Sequence, residues 1–252
     1  MKRTLALAYG ATVYAMFLGV VLYAIGFIGN LWVPTSLDAE RSGSFVGALA
    51  INLGLLGLFA VQHSGMARPA FKRWWTRFVP KPVERSTYVL ATNLILIAIF
   101  AFWQPMGGEV WSVENEAARA AIYGVYFLGW GIVFVATWLI NHFDLFGVRQ
   151  VWLHFRGRPY TRLLFTEPFL YRWVRHPLYV GWLTVFWAAP TMTIAHLFFA
   201  VVTTAYILVA IRLEERDLVS EHGEAYEQYR RRVPMLVPRF RNDGSRTAAE
   251  AA

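Results

Sequence analysis

The chain has 252 residues, of which 57% are hydrophobic and only 16% charged, against roughly 25% charged in an ordinary soluble domain. Aromatic residues reach 17%, with 11 Trp, and a globule of this size cannot bury so much apolar surface; a soluble enzyme, a disordered chain and a coiled coil are excluded. The net charge is +8 and Cys is absent, which excludes disulfides, thiolate metal sites, iron–sulfur clusters and a cysteine nucleophile.

A membrane span needs about 20 mostly apolar residues. Residues 5–30 contain no charge and form the first such run; its length and uniform apolarity mark a retained span, not a cleaved signal peptide. Ala11, Ala15 and Gly19 recur every four residues along it, a small-residue face suited to close helix contact. Further runs follow at 45–61, 86–103 and 120–140. Two more, 178–190 and 193–211, are separated by a break at Pro190, Thr191 and Met192 and read as a tight helical hairpin with a short first arm. The expected fold is all-α, a polytopic membrane protein of five to six transmembrane helices. It divides into a four-span bundle over 1–170 and a C-terminal hairpin with a cytoplasmic amphipathic helix over 171–240. The tail 241–252 is expected to be disordered.

The basic residues orient this map, because cytoplasmic loops carry the Lys and Arg. Of the 24, 22 lie in the N-terminus, segments 62–85 and 141–176, or after position 211; only Arg41 and Arg119 occupy the other loops, beside Asp38, Glu40, Glu109, Glu114 and Glu116. Both termini are therefore expected in the cytoplasm, and the charge reflects topology and anionic lipid, not nucleic acid. The run Arg230, Arg231 and Arg232 reads as a lipid-facing basic patch.

Four polar clusters then fall at one cytoplasmic depth: Gln62, His63 and Ser64; Asn141, His142 and Asp144; Arg175, His176 and Pro177; and Arg212, Glu214 and Glu215. A site there could draw a water-soluble cofactor from the cytosol and a small or apolar substrate from the membrane. His63 and His142 each keep a plain alternative, an interfacial ring bonded to carbonyls. Acids at a helix C-terminus oppose the helix dipole, so Glu214 and Glu215 need a partner, which Arg212 and Arg216 could supply. No further His or carboxylate pair has ligand spacing around His142 and Asp144, so no metal is expected. His196, in an apolar run on the opposite side, reads as structural.

The order Arg175-His176-Pro177-Leu178-Tyr179-Val180-Gly181, a hydrophobic hairpin, Glu214-Glu215, Tyr226-Glu227-Gln228-Tyr229 and Val233-Pro234 resembles the isoprenylcysteine carboxyl methyltransferase superfamily, which includes phospholipid N-methyltransferases. His222 departs from it, standing where the family often has an aromatic residue. The stretches Gln62-His63-Ser64-Gly65-Met66-Ala67-Arg68 and Leu139-Ile140-Asn141-His142-Phe143-Asp144-Leu145-Phe146-Gly147 are similar to one branch, the bacterial methanethiol S-methyltransferases and their NnrU-like relatives. The resemblance implies S-adenosylmethionine as methyl donor. It would be held by Arg175, His176, Pro177, Tyr179, Gly181 and Trp182, by Glu214 and Glu215, and by Tyr229. Methyl transfer to a small thiol, methanethiol giving dimethyl sulfide, needs no metal and no enzyme thiol, but it does need a thiolate. His142 with Asp144 fits as the activating base and His63 is the second candidate, with Asn141 and Gln62 beside the substrate. Other readings stay open: methylation of a lipid or isoprenylcysteine carboxylate or amine, a non-catalytic NnrU-like membrane protein, and a sterol-type reductase using NADPH.

Overall fold

The computed structural model describes residues 2–40, 43–161 and 163–238. The tail 241–252 lies outside them. Helix α1 covers Arg3–Gly29 and α2 Phe45–Ala67; the Ser44 hydroxyl caps α2 by accepting from the Gly47 amide at 3.0 Å. A short α3, Pro69–Trp75, leads to α4, Lys81–Phe102, which starts with Pro82 in its first turn, where the missing N–H costs nothing. Strand β1, Glu109–Ser112, precedes α5, Glu116–Leu139, capped by Asn115. Two short helices follow, α6 (His142–Leu145) and α7 (Val148–Phe155). Then come α8 (Pro177–Trp187), strand β2 (Thr191–Thr193), α9 (Ile194–His222) and α10 (Glu224–Arg232). Helices α1, α2, α4, α5 and α9 are long and apolar enough to cross a membrane. The protein is an all-α, multi-pass membrane protein.

Several boundaries move from those read in the sequence, and each shift relocates a polar group. Helix α2 runs on to Ala67, so Gln62, His63 and Ser64 sit inside it and not at its end. The 29 residues of α9 span about 43 Å at 1.5 Å per residue, well beyond a hydrocarbon core of about 30 Å. Glu214 and Glu215 are therefore two turns short of the helix end, on its projecting part, and do not confront the C-terminal dipole.

Helix α8 is the opposite case. Its 11 residues reach only about 16 Å, too short to span. It is held by backbone contact with α5: a Cβ added at Gly181 would lie 2.9 Å from the Gly129 carbonyl oxygen and 2.9 Å from the Val133 nitrogen. Small residues let the two helices approach this closely. On α1 the close approach comes from Gly10, pressed against Val151 of α7, whereas Ala11, Ala15 and Gly19 are all exposed. The expected contact face on α1 is thus one step around the helix from the real one.

The break after α8 is not a simple loop. Strands β1 and β2 pair antiparallel, with Trp111 opposite Met192 and Ser112 opposite Thr191, and the Trp111 indole N–H donates to the Ala189 carbonyl at 3.1 Å. Beside this sheet the buried Asp38 carboxylate accepts from Thr193 Oγ1 at 2.7 Å and meets His196 Nδ1 at 2.9 Å, while His196 Nε2 bonds the Phe186 carbonyl at 3.0 Å. His196 is structural, as its surroundings suggested: it ties the α1–α2 loop to both arms of the hairpin.

Gly129→Val should force α5 and α8 apart, since any Cβ there already meets the Gly181 oxygen at 3.1 Å. Overpacking of this kind costs about 1–3 kcal/mol. Thermal unfolding in detergent should show a midpoint several degrees lower; an unchanged midpoint would mean the backbones are not in contact.

Candidate active site

The site begins with the residue that cannot be helical. His176 precedes a proline and adopts φ −125°, ψ 61°, after which Pro177 opens α8. This non-helical stretch is clamped from the other side, because the Arg175 and His176 amides donate to the Pro234 and Met235 carbonyls at 2.9 and 3.2 Å. Arg175 also reaches the Val233 carbonyl at 2.5 Å through Nη1 and Glu215 Oε1 at 2.7 Å through Nε. His176 Nε2 donates to the same Glu215 oxygen at 3.0 Å. Glu215 thus takes up its charge internally, and its partners are Arg175 and His176, not Arg212 or Arg216. Glu214 is placed differently: Oε2 accepts from the Tyr179 hydroxyl at 3.0 Å, and among the described residues no group bonds Oε1.

Next to these groups is a cavity of about 730 Å³, within the range of small-molecule sites. Leu139, Ile140, Asn141, Leu178, Tyr179 and Glu214 line it where the membrane helices end; Thr161, the segment 163–166, His222, Tyr226 and Tyr229 line it farther out. Phe165 packs between His222, Tyr226 and Tyr229, and the Tyr229 hydroxyl donates to the Tyr171 carbonyl at 2.6 Å. Burial raises the Tyr226 hydroxyl well above its ordinary pKa, helped by the Glu215 charge, and Tyr171 is raised by burial and Glu214. Both stay protonated and available as donors.

The residues singled out in the sequence divide three ways. Asn141, Arg175, His176, Tyr179, Glu214 and Tyr229 line the cavity. Glu215 braces its wall from behind, Pro177 is a buried helix start, and Gly181 serves the α5 contact. Trp182 turns away, packed edge-on against Trp130 with centroids 5.1 Å apart and stacked on Phe186 at 5.6 Å. Its ring packs against the core and not at the cavity, contrary to its expected place among the donor-holding residues. Gln62, His63, His142 and Asp144 do not line the cavity either.

His142 and Asp144 do not form a pair. Asp144 accepts from Arg149 Nη1 at 2.9 Å and from the Tyr160 hydroxyl at 3.2 Å. The Thr137 hydroxyl donates to the Phe134 carbonyl at 2.7 Å, so at 2.9 Å it must accept from His142 Nδ1–H; Nε2 then receives the Tyr14 hydroxyl at 2.8 Å. Trp138 stacks on the ring at 4.7 Å. Burial holds its pKa below 6.5, so the ring is neutral, but both nitrogens are engaged. The carboxylate was drawn off by Arg149, five residues along, a partner the sequence offered equally well. Thr161, the segment 163–166, Tyr171 and Leu218 carried no signal at all; Tyr226 was visible only within its motif.

The model of the isoprenylcysteine carboxyl methyltransferase family matches residues 147–220, from α7 through both glutamates. A methanethiol S-methyltransferase of Crocosphaera subtropica is 57% identical over 238 residues, 94% of this chain and 93% of that one. One from Mycobacterium tuberculosis is 50% identical over 238 residues, 94% and 98% of the two chains. Nurim of Rattus norvegicus is 32% identical over 190 residues, 72% of each. No solved structure matches. With relatives aligned over nearly their whole length, the chain belongs to the isoprenylcysteine carboxyl methyltransferase family, alongside the methanethiol S-methyltransferases.

Proposed function

We propose that this chain is a membrane methyltransferase that uses S-adenosylmethionine as donor and methylates a small thiol, methanethiol, to dimethyl sulfide. The observation that carries the donor assignment is Glu214 Oε1, an open acceptor on the wall of a cavity large enough for a nucleoside ligand. Glu214 and the protonated Tyr226 and Tyr171 would hold the donor's hydroxyl and amino groups, with Arg175 and His176 fixing that wall. When bound, the donor supplies an electrophilic methyl on a sulfonium. The chain's part is to orient two reactants in line and exclude water, so effective molarity is the main rate term. The acceptor assignment rests on the relatives' names and end-to-end identity. Transfer of label from methyl-labelled donor to methanethiol by purified protein tests it, with an isoprenylcysteine analogue as the competing acceptor.

Donor affinity should depend on the acids of α9. Glu214→Ala removes a charged acceptor, worth about 1.5–3 kcal/mol, and should weaken S-adenosylhomocysteine binding by roughly ten- to a hundredfold in calorimetry. Unchanged affinity would remove Glu214 from the donor site.

Both termini and the cavity are assigned to the cytoplasmic side. Arg3 of α1 lies against Gly157, the cavity opens where α5 ends and α8 begins, and the β1–β2 sheet with Asp38 is at the other end of the bundle. The chain has no Cys, so single-Cys labelling has no background. An impermeant maleimide should label Asn115→Cys in intact cells and not Thr76→Cys; the reverse would put the cavity on the wrong side for a cytosolic donor.

His142 and Asp144 are assigned to bracing the chain between α5 and α7. The ring's pKa is below 6.5 when folded, so as pH falls below about 6.5 the unfolded chain takes up a proton that the folded chain does not, and stability drops. His142→Gln should flatten the melting temperature between about pH 7 and pH 5. An equally steep acid slope in the variant would show that the ring titrates freely and is not held neutral.

A further inference from the structure

The cavity wall where α5 ends carries a polar group that the donor assignment leaves unused. Asn141 follows the last turn of α5 and takes the left-handed conformation, φ 78°, ψ 80°, which glycine adopts more readily than any other residue. Its polar atoms can be accounted for one by one. The backbone N–H donates to the Trp138 carbonyl at 3.3 Å, and the carbonyl accepts from the Asp144 and Leu145 amides at 3.1 and 3.0 Å. The side-chain Oδ1 accepts from the Asp144 amide at 3.1 Å, capping α6, and this bond settles which end of the side-chain amide is oxygen. What is left is Nδ2 with two hydrogens. It has no partner among the described residues and is not sealed from solvent. Because Asn141 lines the cavity, Nδ2 is the group it offers to a ligand.

The same wall is otherwise apolar, formed by Leu139 and Ile140 at the end of α5 and Leu178 at the start of α8. Its charged groups are already engaged. Arg149 is held by the Asp144 carboxylate and by Thr161, and Tyr160 donates to the same carboxylate. Arg175 and His176 are held by Glu215, and both nitrogens of His142 by Tyr14 and Thr137. Glu214 would repel an anion, and Tyr179 is turned to it. His222, Tyr226 and Tyr229 lie farther out, around Phe165. An uncommitted N–H donor beside aliphatic side chains suits a small apolar molecule that carries one anionic atom, and such a bond gains strength where water is scarce.

We propose that Asn141 Nδ2 holds the sulfur of the methyl acceptor as a thiolate against Leu139, Ile140 and Leu178. This rests on the thiol reading above and names the acceptor's place in the cavity. In the step itself the thiol proton goes to water and a bond forms between the sulfur and the donor's methyl carbon. The bond from that carbon to the donor sulfonium breaks, with its electron pair staying on the donor sulfur.

Two variants separate an acceptor-holding amide from a helix cap. Asn141→Asp keeps an oxygen for the Asp144 amide but puts a carboxylate where the N–H₂ stood; Asn141→Gly suits the backbone and loses both groups. In single turnovers at saturating methanethiol, with purified protein in lipid nanodiscs, Asn141→Gly should slow transfer by roughly ten- to a hundredfold, the loss of a hydrogen bond to an anion. Asn141→Asp should slow it further, by repelling the thiolate. The limb of the rate profile that follows thiol ionisation should move up by about one to two pH units in Asn141→Gly. S-adenosylhomocysteine affinity should be unchanged in both, which also shows that they are folded. Asn141→Asp at the unmodified rate would leave only the cap, and a fall in S-adenosylhomocysteine affinity matching the fall in rate would put Asn141 on the donor side; either overturns the proposal, as does an unmoved pH limb. If Asn141→Gly does not purify folded, the rate of Asn141→Asp decides. No transfer to methanethiol by the unmodified protein would instead overturn the thiol reading, and this inference with it.

Discussion

Glu215 Oε1 is where the cavity-bearing half of the structure is joined. Two donors from the segment before α8 converge on that one oxygen, Arg175 at 2.7 Å and His176 at 3.0 Å. The same Arg175 holds the Arg230 carbonyl in the last turn of α10 and the Val233 carbonyl just beyond it. One carboxylate therefore links α8, α9 and the chain beyond α10, and the cavity is the space those three enclose. Removing one member of such a shielded pair leaves a charge uncompensated, at a cost of about 3–5 kcal/mol. The neighbouring Glu214, on the same helix turn, instead accepts from Tyr179 and lines the cavity, so two adjacent acids serve different partners.

Much of this was legible in the sequence because the relevant signals are local or collective. Apolar run length gave the spans, and the Arg-His-Pro order encodes its own geometry: proline opens a helix and keeps the residue before it out of the helical conformation. What stayed hidden depends on partner choice. Asp144 could have turned to His142 or to Arg149, and spacing does not decide between them. Trp182 lies one turn from Tyr179 with equal aromatic character, yet Trp130 claims it for the core. The α1 stripe of Ala11, Ala15 and Gly19 obeys the helical period, but period alone does not say which face meets a neighbour. The β1–β2 pairing joins residues some 80 positions apart, with no pattern in either strand strong enough to announce it.

The polar groups of the bundle form separate layers. At one end Asp38, Thr193 and His196 close the hairpin against the α1–α2 loop. Toward the same end, Asn52 of α2 donates to the Gln104 carbonyl at 2.7 Å and accepts from the Gln104 amide at 2.9 Å, fixing the end of α4. At the other end lie the Glu215 junction and the cavity. Between helices that gain little from apolar contact in a lipid environment, such bonds and the Gly129–Gly181 approach supply the specificity of packing.

Helix α9 connects these layers as a single rod. Its 29 residues include neither Gly nor Pro, the usual origins of a sharp bend, so it has no built-in hinge. One end is pinned through His196 to Asp38; the other carries both acids of the cavity wall. A change of shape around a bound ligand must therefore come from the elements that face α9, since swinging Glu214 alone would require the rod to pivot and strain the Asp38 anchor some 30 Å away. The wall that carries the charge is thus the stationary side of the site.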